Sequence, residues 1–217
     1  MNNLKINQNN VAAIGIGSMI IFISFILVAG FAASILTQTS TDLEMQALRT
    51  GQDTTVAVSS GIKIEGIEGY NQSGLITKLA IEVSVRAGSP DVDLENTIIE
   101  ISDSDVKKIL EFGGASQHAN ATDLNGDVLG NGKFGTATTF GVNVLQDADE
   151  SCSSSTPIIN FGDHVFIGIN SALTFSTNSG IEPRTDIFGM IVCEDGAPGI
   201  IGFQTPSAYS EDIIELK

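Results

Sequence analysis

Apolar positions follow two different periods along the chain. From Val11 to Leu36 the run VAAIGIGSMIIFISFILVAGFAASIL holds 26 residues without a charge. As a helix rising 1.5 Å per residue it would span about 39 Å, enough to cross a bilayer. The helical pattern does not stop there. Leu36, Leu43, Ala47, Gly51, Thr54 and Val58 recur at spacings of three, four or seven, bordered by Asp42, Glu44, Arg49 and Asp53. No proline precedes Pro90, and Gly61 is suited to end a helix. One helix from about Ala13 to Ser60, roughly 70 Å long, is therefore expected.

After Gly61 the period becomes two. Leu79, Ile81, Val83 and Val85 alternate with Lys78, Ala80, Glu82, Ser84 and Arg86, the signature of a half-buried strand. Further strands are expected at 62–67, 96–101, 134–145, 163–169, 172–177, 187–193 and 200–204, separated by Gly, Asn, Asp, Ser and Pro. One short helix is expected at 104–112. Many short strands with turn residues between them predict an antiparallel β-sandwich, which with the helix makes an α+β chain.

Charge sharpens the division. The 217 residues carry 26 Asp and Glu against 10 Lys and Arg, a formal net charge of -16, with a pI near 4.2. Such a balance excludes electrostatic nucleic-acid binding, which needs a basic patch. Lys5 is the only charge before Asp42, whereas residues 62–217 hold 23 acidic and 8 basic residues. A secretory signal peptide has an apolar stretch of about 7 to 15 residues behind a charged head; this stretch is longer and its head has one lysine. Hydropathy alone reads it as a single-span anchor, but an anchor does not require the amphipathic half beyond it. Small residues recur four apart within the run, at Ala13/Gly17, Ala29/Ala33 and Gly30/Ser34, and such faces let helix backbones approach closely in an apolar setting.

Candidate chemistry is sparse. His118 and His164 have no patterned nucleophile or acid beside them. Asp123, Asn125 and Asp127 occupy alternate positions like the start of a calcium loop, but Val128 and Phe134 stand where Gly and Glu belong, so the choice lies between a solvated turn and an irregular calcium site. Cys152 and Cys193 suit either a disulfide, worth about 3 to 4 kcal/mol by loop entropy, or two separate buried thiols. Asn71-Gln72-Ser73 and Asn120-Ala121-Thr122 match the N-glycosylation acceptor pattern.

Three stretches together resemble one family, the archaeal flagellins or archaellins, within the type IV pilin-like superfamily. Ala13-Ile14-Gly15-Ile16-Gly17-Ser18-Met19-Ile20-Ile21-Phe22-Ile23 resembles the start of a mature archaellin, where Gly-x-Gly leads into an Ile/Val/Phe run. Val58-Ser59-Ser60-Gly61-Ile62-Lys63 resembles the helix-to-domain junction, and Val85-Arg86-Ala87-Gly88-Ser89-Pro90-Asp91-Val92-Asp93-Leu94 the first long strand and its turn. Weaker similarity runs through Gly162-Asp163 and from Gly189 to Pro206.

The resemblance implies a leader of residues 1–12, removed between Ala12 and Ala13 by a prepilin-type signal peptidase. Where the family has Gly preceded by a basic residue, this chain has Ala12 preceded by Val11 and Asn10. It further implies a helix at 13–60, resident in the membrane and then in a filament core, with Gly15, Gly17, Ala29, Gly30, Ala33 and Ser34 at the closest approaches. Residues 61–217 would form an Ig-like outer sandwich. The expected function is that of a non-enzymatic subunit of the archaeal motility filament, an extracellular homopolymer that paralogous subunits could join. The alternatives are an adhesive pilin, a membrane-retained accessory protein of the motor, and a membrane-anchored extracellular binding module.

Overall fold

A computed structural model describes residues 2–175, 179–194 and 196–217, with side chains from residue 12 onward. The chain divides into two compact units, Met1–Asp53 and Thr54–Lys217. Helix α1 covers Asn2–Ser59. Its last turn is closed by the Ser60 amide donating to Val56 O at 2.8 Å, and Gly61, at φ +133°, takes the chain out of the helical region.

Among the described residues twelve strands follow: β1 (Ile62–Gln72), β2 (Leu75–Val85), β3 (Val92–Asp93), β4 (Ile98–Ser102), β5 (Lys107–Phe112), β6 (His118–Ala119), β7 (Thr139–Gln146), β8 (Ile158–Ile159), β9 (His164–Ile169), β10 (Asp186–Val192), β11 (Gly199–Gln204) and β12 (Ile213–Glu215). Short helices α2 (Ala121–Leu124), α3 (Val128–Asn131) and α4 (Ser171–Thr174) lie between them. One sheet runs in the order β11-β10-β4-β5-β7-β9-β2-β1-β12, with β6 also paired to β7, while β3 and β8 form a separate ribbon. Pairing is antiparallel except where β5 and β6 meet β7.

The sheet curls so that its two halves face each other across one core. Ile99, Ile101, Leu110, Ile187, Ile191, Ile201 and Phe203 from one half share a buried cluster with Ile62, Ile67, Ile81, Val83, Phe140, Ile167 and Ile169 from the other. The expected sandwich is thus one sheet folded on itself. Its far strands meet where Gly61 bridges Ala197. The Ala197 amide donates to Ser60 O at 2.8 Å, and the Arg86 amide to Gly61 O at 3.0 Å.

A second, smaller cluster lies on the outer face of the β2–β9 half, where Leu129 and Phe134 cover Ala80 and Phe166. The segment holding α2 and α3 is clamped there. Asn143 accepts the Lys133 amide at 2.6 Å and returns a bond to Lys133 O at 2.9 Å, and Lys78 Nζ donates to Leu129 O at 2.6 Å beneath the Phe134 ring. Gly168 is required by this close approach, because a Cβ there would strike Lys133 O.

Two expected elements change type. Residues 104–112 form a turn and β5 instead of a helix. Ser104 adopts φ +77°, Asp103 Oδ1 accepts the amides of Asp105 and Val106, and Lys107–Phe112 then pairs with β4 with Leu110 buried. Lys-Lys-Ile-Leu-Glu-Phe fits either period, and hairpin pairing decides it. Of the strand expected at 172–177, Ser171–Thr174 is the helix α4, with Asn170 Oδ1 accepting the Leu173 amide; residues 176 and 177 lie outside the described residues. The strand expected at 134–145 starts only at Thr139.

The glycine at the junction generates a test. A Cβ on Gly61 would lie 2.2 Å from Ala197 O, at a φ that side chains rarely adopt. Gly61→Ala is expected to destabilise the β domain by about 2 kcal/mol or more, measured by urea unfolding of residues 54–217. Gly202→Ala, where nothing lies within 4 Å of the added carbon, should stay within about 0.5 kcal/mol of the parent.

Candidate functional site

Among residues 12–36 no side chain is buried, and an 18-residue window of Ala12–Ser59 reaches a mean hydropathy of 2.7. Large apolar side chains from Ile14 to Leu36 are each more than half exposed. At about 1.5–3 kcal/mol per side chain for full burial, leaving them in water forgoes tens of kcal/mol, so this surface must sit in lipid or against protein.

Four hydroxyls in and beside the stretch are paired within the helix. Ser18 Oγ donates to Gly15 O at 2.9 Å, Ser24 Oγ to Ile20 O at 2.8 Å, Thr37 Oγ1 to Ala33 O at 2.9 Å and Thr41 Oγ1 to Thr37 O at 2.9 Å. Each hydroxyl donates within its own helix, and the outer surface is nearly all hydrocarbon. At Gly15, Gly17 and Gly30 nothing lies within 4 Å of a notional Cβ. Ala29, Gly30, Ala33 and Ser34 add a shallow flank, exposed in the single chain.

In the β domain the convergent charges lie where local spacing did not point. Oxygens of Asp147, Asp149 and Asp163 all fall within 4.8 Å of one another. The β7–β8 connection holds them: the Ser151 amide donates to Asp147 and Asp149, the Cys152 amide to Asp147 Oδ2 at 3.0 Å, and Asn160 Nδ2 to Asp149 Oδ2 at 2.6 Å. The Asn160 amide donates to Asp163 Oδ2 at 2.8 Å. Burial, followed by Asp147 and Asp149, raises the Asp163 pKa, while hydrogen bonds from Asn160 and Ser151 lower that of Asp149. Three hard oxygens this close suit a cation such as calcium, which takes oxygen ligands at about 2.3–2.6 Å.

Asp123, Asn125 and Asp127, the turn or irregular calcium site of the sequence, lie at the ends of α2 and α3. Asp123 Oδ2 accepts the Asn120 amide, Asp127 Oδ1 accepts the Gly130 amide at 2.7 Å, and Asn125 is the left-handed residue that ends α2. The Asp147-Ala-Asp149 doublet was the only local sign of the actual cluster; Asp163 joins it from the start of β9.

Cys152 and Cys193 are free, buried thiols in this structure. Cys152 Sγ lies 3.8 Å from His118 Nε2. Burial, then Asp147 and Asp163, pushes the Cys152 thiol up to about 12, and burial lowers the His118 imidazole. Both groups are held neutral, the opposite of a thiolate–imidazolium nucleophile. His164, opening β9, lies 3.4 Å from Glu82.

The two glycosylation motifs differ in setting. Asn71 is tied at both ends of its amide, donating to Glu211 O and accepting the Gly74 amide, each at 3.1 Å. Asn120 is exposed beside an open groove of about 690 Å³ that Thr122, Leu145 and Glu150 also line.

Comparison with known proteins finds similarity along most of the chain. The archaeal-type flagellin family profile matches residues 12–203. Flagellin B3 of Methanocaldococcus jannaschii is 42% identical over 210 residues, covering 94% of this chain and 95% of its own. The crystal structure of archaeal flagellin FlaB1 from the same organism superposes with a TM-score of 0.64 at 30% identity, over 72% of this chain and 96% of that one. A subunit of the archaeal flagellum of Methanospirillum hungatei shares the fold with a TM-score of 0.62 at 14% identity, over 92% of this chain and 98% of its own.

The acidic cluster sets two expectations. A carboxyl with a raised folded pKa contributes stability that is fully present below its unfolded value and lost as pH rises through the folded one. Asp163→Asn should therefore flatten the stability profile from about pH 4 upward. At about 10 mM Ca²⁺ the parent domain should melt about 3–10 °C higher, and most of that gain should vanish in Asp163→Asn. Calorimetry with and without Ca²⁺ checks both, and a parent insensitive to Ca²⁺ would reject the cation site.

Proposed function

The chain belongs to the archaeal-type flagellin family, and we propose that it is the structural subunit of an archaeal motility filament, polymerising through α1 after removal of residues 1–12. The observation that carries this reading is the uncharged α1 surface from Ala12 to Thr41, on which no side chain is buried. A span of that hydropathy holds the precursor in the membrane, and association with other copies offers the same hydrocarbon a protein environment. Since lipid already satisfies the helix, assembly must rest on closer packing, for which Ala29/Ala33 and Gly30/Ser34 provide the approach. The chain performs no reaction. The β domain, with its acidic surface, forms the extracellular part, and paralogous subunits can share the polymer.

Maturation falls between Ala12 and Ala13, performed by a prepilin-type signal peptidase. The family match starting at residue 12 supports the position. Cleavage removes Lys5, leaving 9 basic and 26 acidic residues and a side-chain charge of -17. Of the two acceptor motifs, Asn120 is the exposed one, whereas Asn71 is held at both ends of its amide, so a glycan belongs at Asn120.

N-terminal sequencing of sheared filaments should read Ala-Ile-Gly-Ile-Gly; a start at Met1 or inside the apolar run would refute the maturation site. Ala33→Asp should abolish filaments seen by electron microscopy, because an unpaired buried charge is expensive. Ser73→Asp, in the β1–β2 turn, should assemble normally. Abundant filaments carrying Ala33→Asp would show that this stretch is not packed in the filament core. Intact mass should fall to the polypeptide value at this site in Asn120→Gln and stay unchanged in Asn71→Gln.

A further inference from the structure

The two halves of the β sheet differ on their outer faces. The β2–β9 half is covered by the segment holding α2 and α3, whereas among the described residues no segment covers the half made of β4, β5, β10 and β11. There Phe188, Met190 and Val192 of β10 alternate with core residues and point outward, all exposed. Register places Ile200 beside Met190, Ile98 beside Val192, and Glu100 between Met190 and Ile109. Phe188 is 59% and Ile200 71% exposed. The six apolar side chains leave on the order of 500 Å² of hydrocarbon in water, at the upper end for a monomer. Within the patch Glu100 and Lys107 neutralise each other at 2.6 Å, and Asp186 and Glu111 stand at its rim.

We infer that this face docks on a second copy of the chain, against the Met45/Leu48 side of that copy's α1. The inference rests on the filament reading above. A polymer of one subunit type grows through head-to-tail contacts, so the face must meet a surface other than itself. A second β domain is a poor occupant, since residues 62–217 carry 23 acidic against 8 basic residues and like charges would crowd the rim. The stretch Thr37–Arg49 carries only Asp42, Glu44 and Arg49. Its exposed Met45 and Leu48 lie roughly 150° around the helix from Leu36, Leu43 and Ala47, at 100° per residue. One apolar side of that stretch can thus face other helices while the opposite side remains for a neighbour's sheet. A patch of about 500 Å² falls short of the roughly 800 Å² per partner of a stable pair. The contact therefore forms where α1 has already gathered the copies, through effective concentration.

The test uses the full chain. Ile200→Asp should lower filament yield at least tenfold while leaving the melting temperature of the β domain within 2 °C of the parent. In a second arm, filaments of the Ile200→Cys, Leu48→Cys double variant are oxidised and run on a non-reducing gel. A covalent ladder is expected, with monomers from either single variant, the native thiols being buried. Normal yield from Ile200→Asp, dimers from Ile200→Cys alone, or the absence of a ladder from double-variant filaments would each overturn the docking. Failure of the parent chain to form any filament would overturn the filament reading itself.

Discussion

Water cannot be the final environment of α1, and most of what the molecule does follows from that constraint. Between Ile6 and Thr41 there is no charge, and the side chains of residues 12–36 find almost no cover within their own chain. Burial of one such side chain is worth a few kcal/mol, so the sum over the stretch exceeds the net stability of an ordinary domain. Lipid and neighbouring helices are the two media that can take it up. Between two equally apolar media, packing decides the balance. Folding of the β domain makes no demand on this helix surface, since the domain buries its own core.

That separation depends on how the sheet is closed. A flat sheet of these strands would expose one apolar face throughout its length. Curling brings Ile187 and Ile201 into the same cluster as Ile62 and Ile81, so inward residues at both ends of the strand order bury one another. The seam is backbone: Gly61 and Ala197 meet too closely for a side chain on the glycine. A residue that ends a helix on one side and closes a sheet on the other explains why glycine stands there.

Long periodic segments were legible from the sequence. Leu79, Ile81 and Val83 alternate inward as expected, and α1 continues unbroken past the apolar run into its amphipathic half. Where two periods fit equally, as in Lys107–Phe112, the answer came from the partner strand and could not be read locally. Short elements such as β3, β6, β8 and β12 have only two or three residues, too few to show a period. Asp163 lies 14 residues from Asp149, and only the chain reversal between β7 and β9 brings them together. Asp123, Asn125 and Asp127 stand at the ends of α2 and α3, where Asp and Asn are favoured beside backbone amides whether or not they also hold a cation.

The hydroxyls of Ser18, Ser24, Thr37 and Thr41 bond to carbonyls within their own helix. A bundle of such helices has few directional bonds between members in that stretch, and its cohesion is dispersion spread over many small contacts. Stress on a lattice held this way breaks no hydrogen bond that must be remade. Neighbouring helices can slip along one another by a fraction of a turn, exchanging one set of apolar contacts for a similar set. In such a bundle, shear is resisted by the sum of many weak apolar contacts and by few directional bonds.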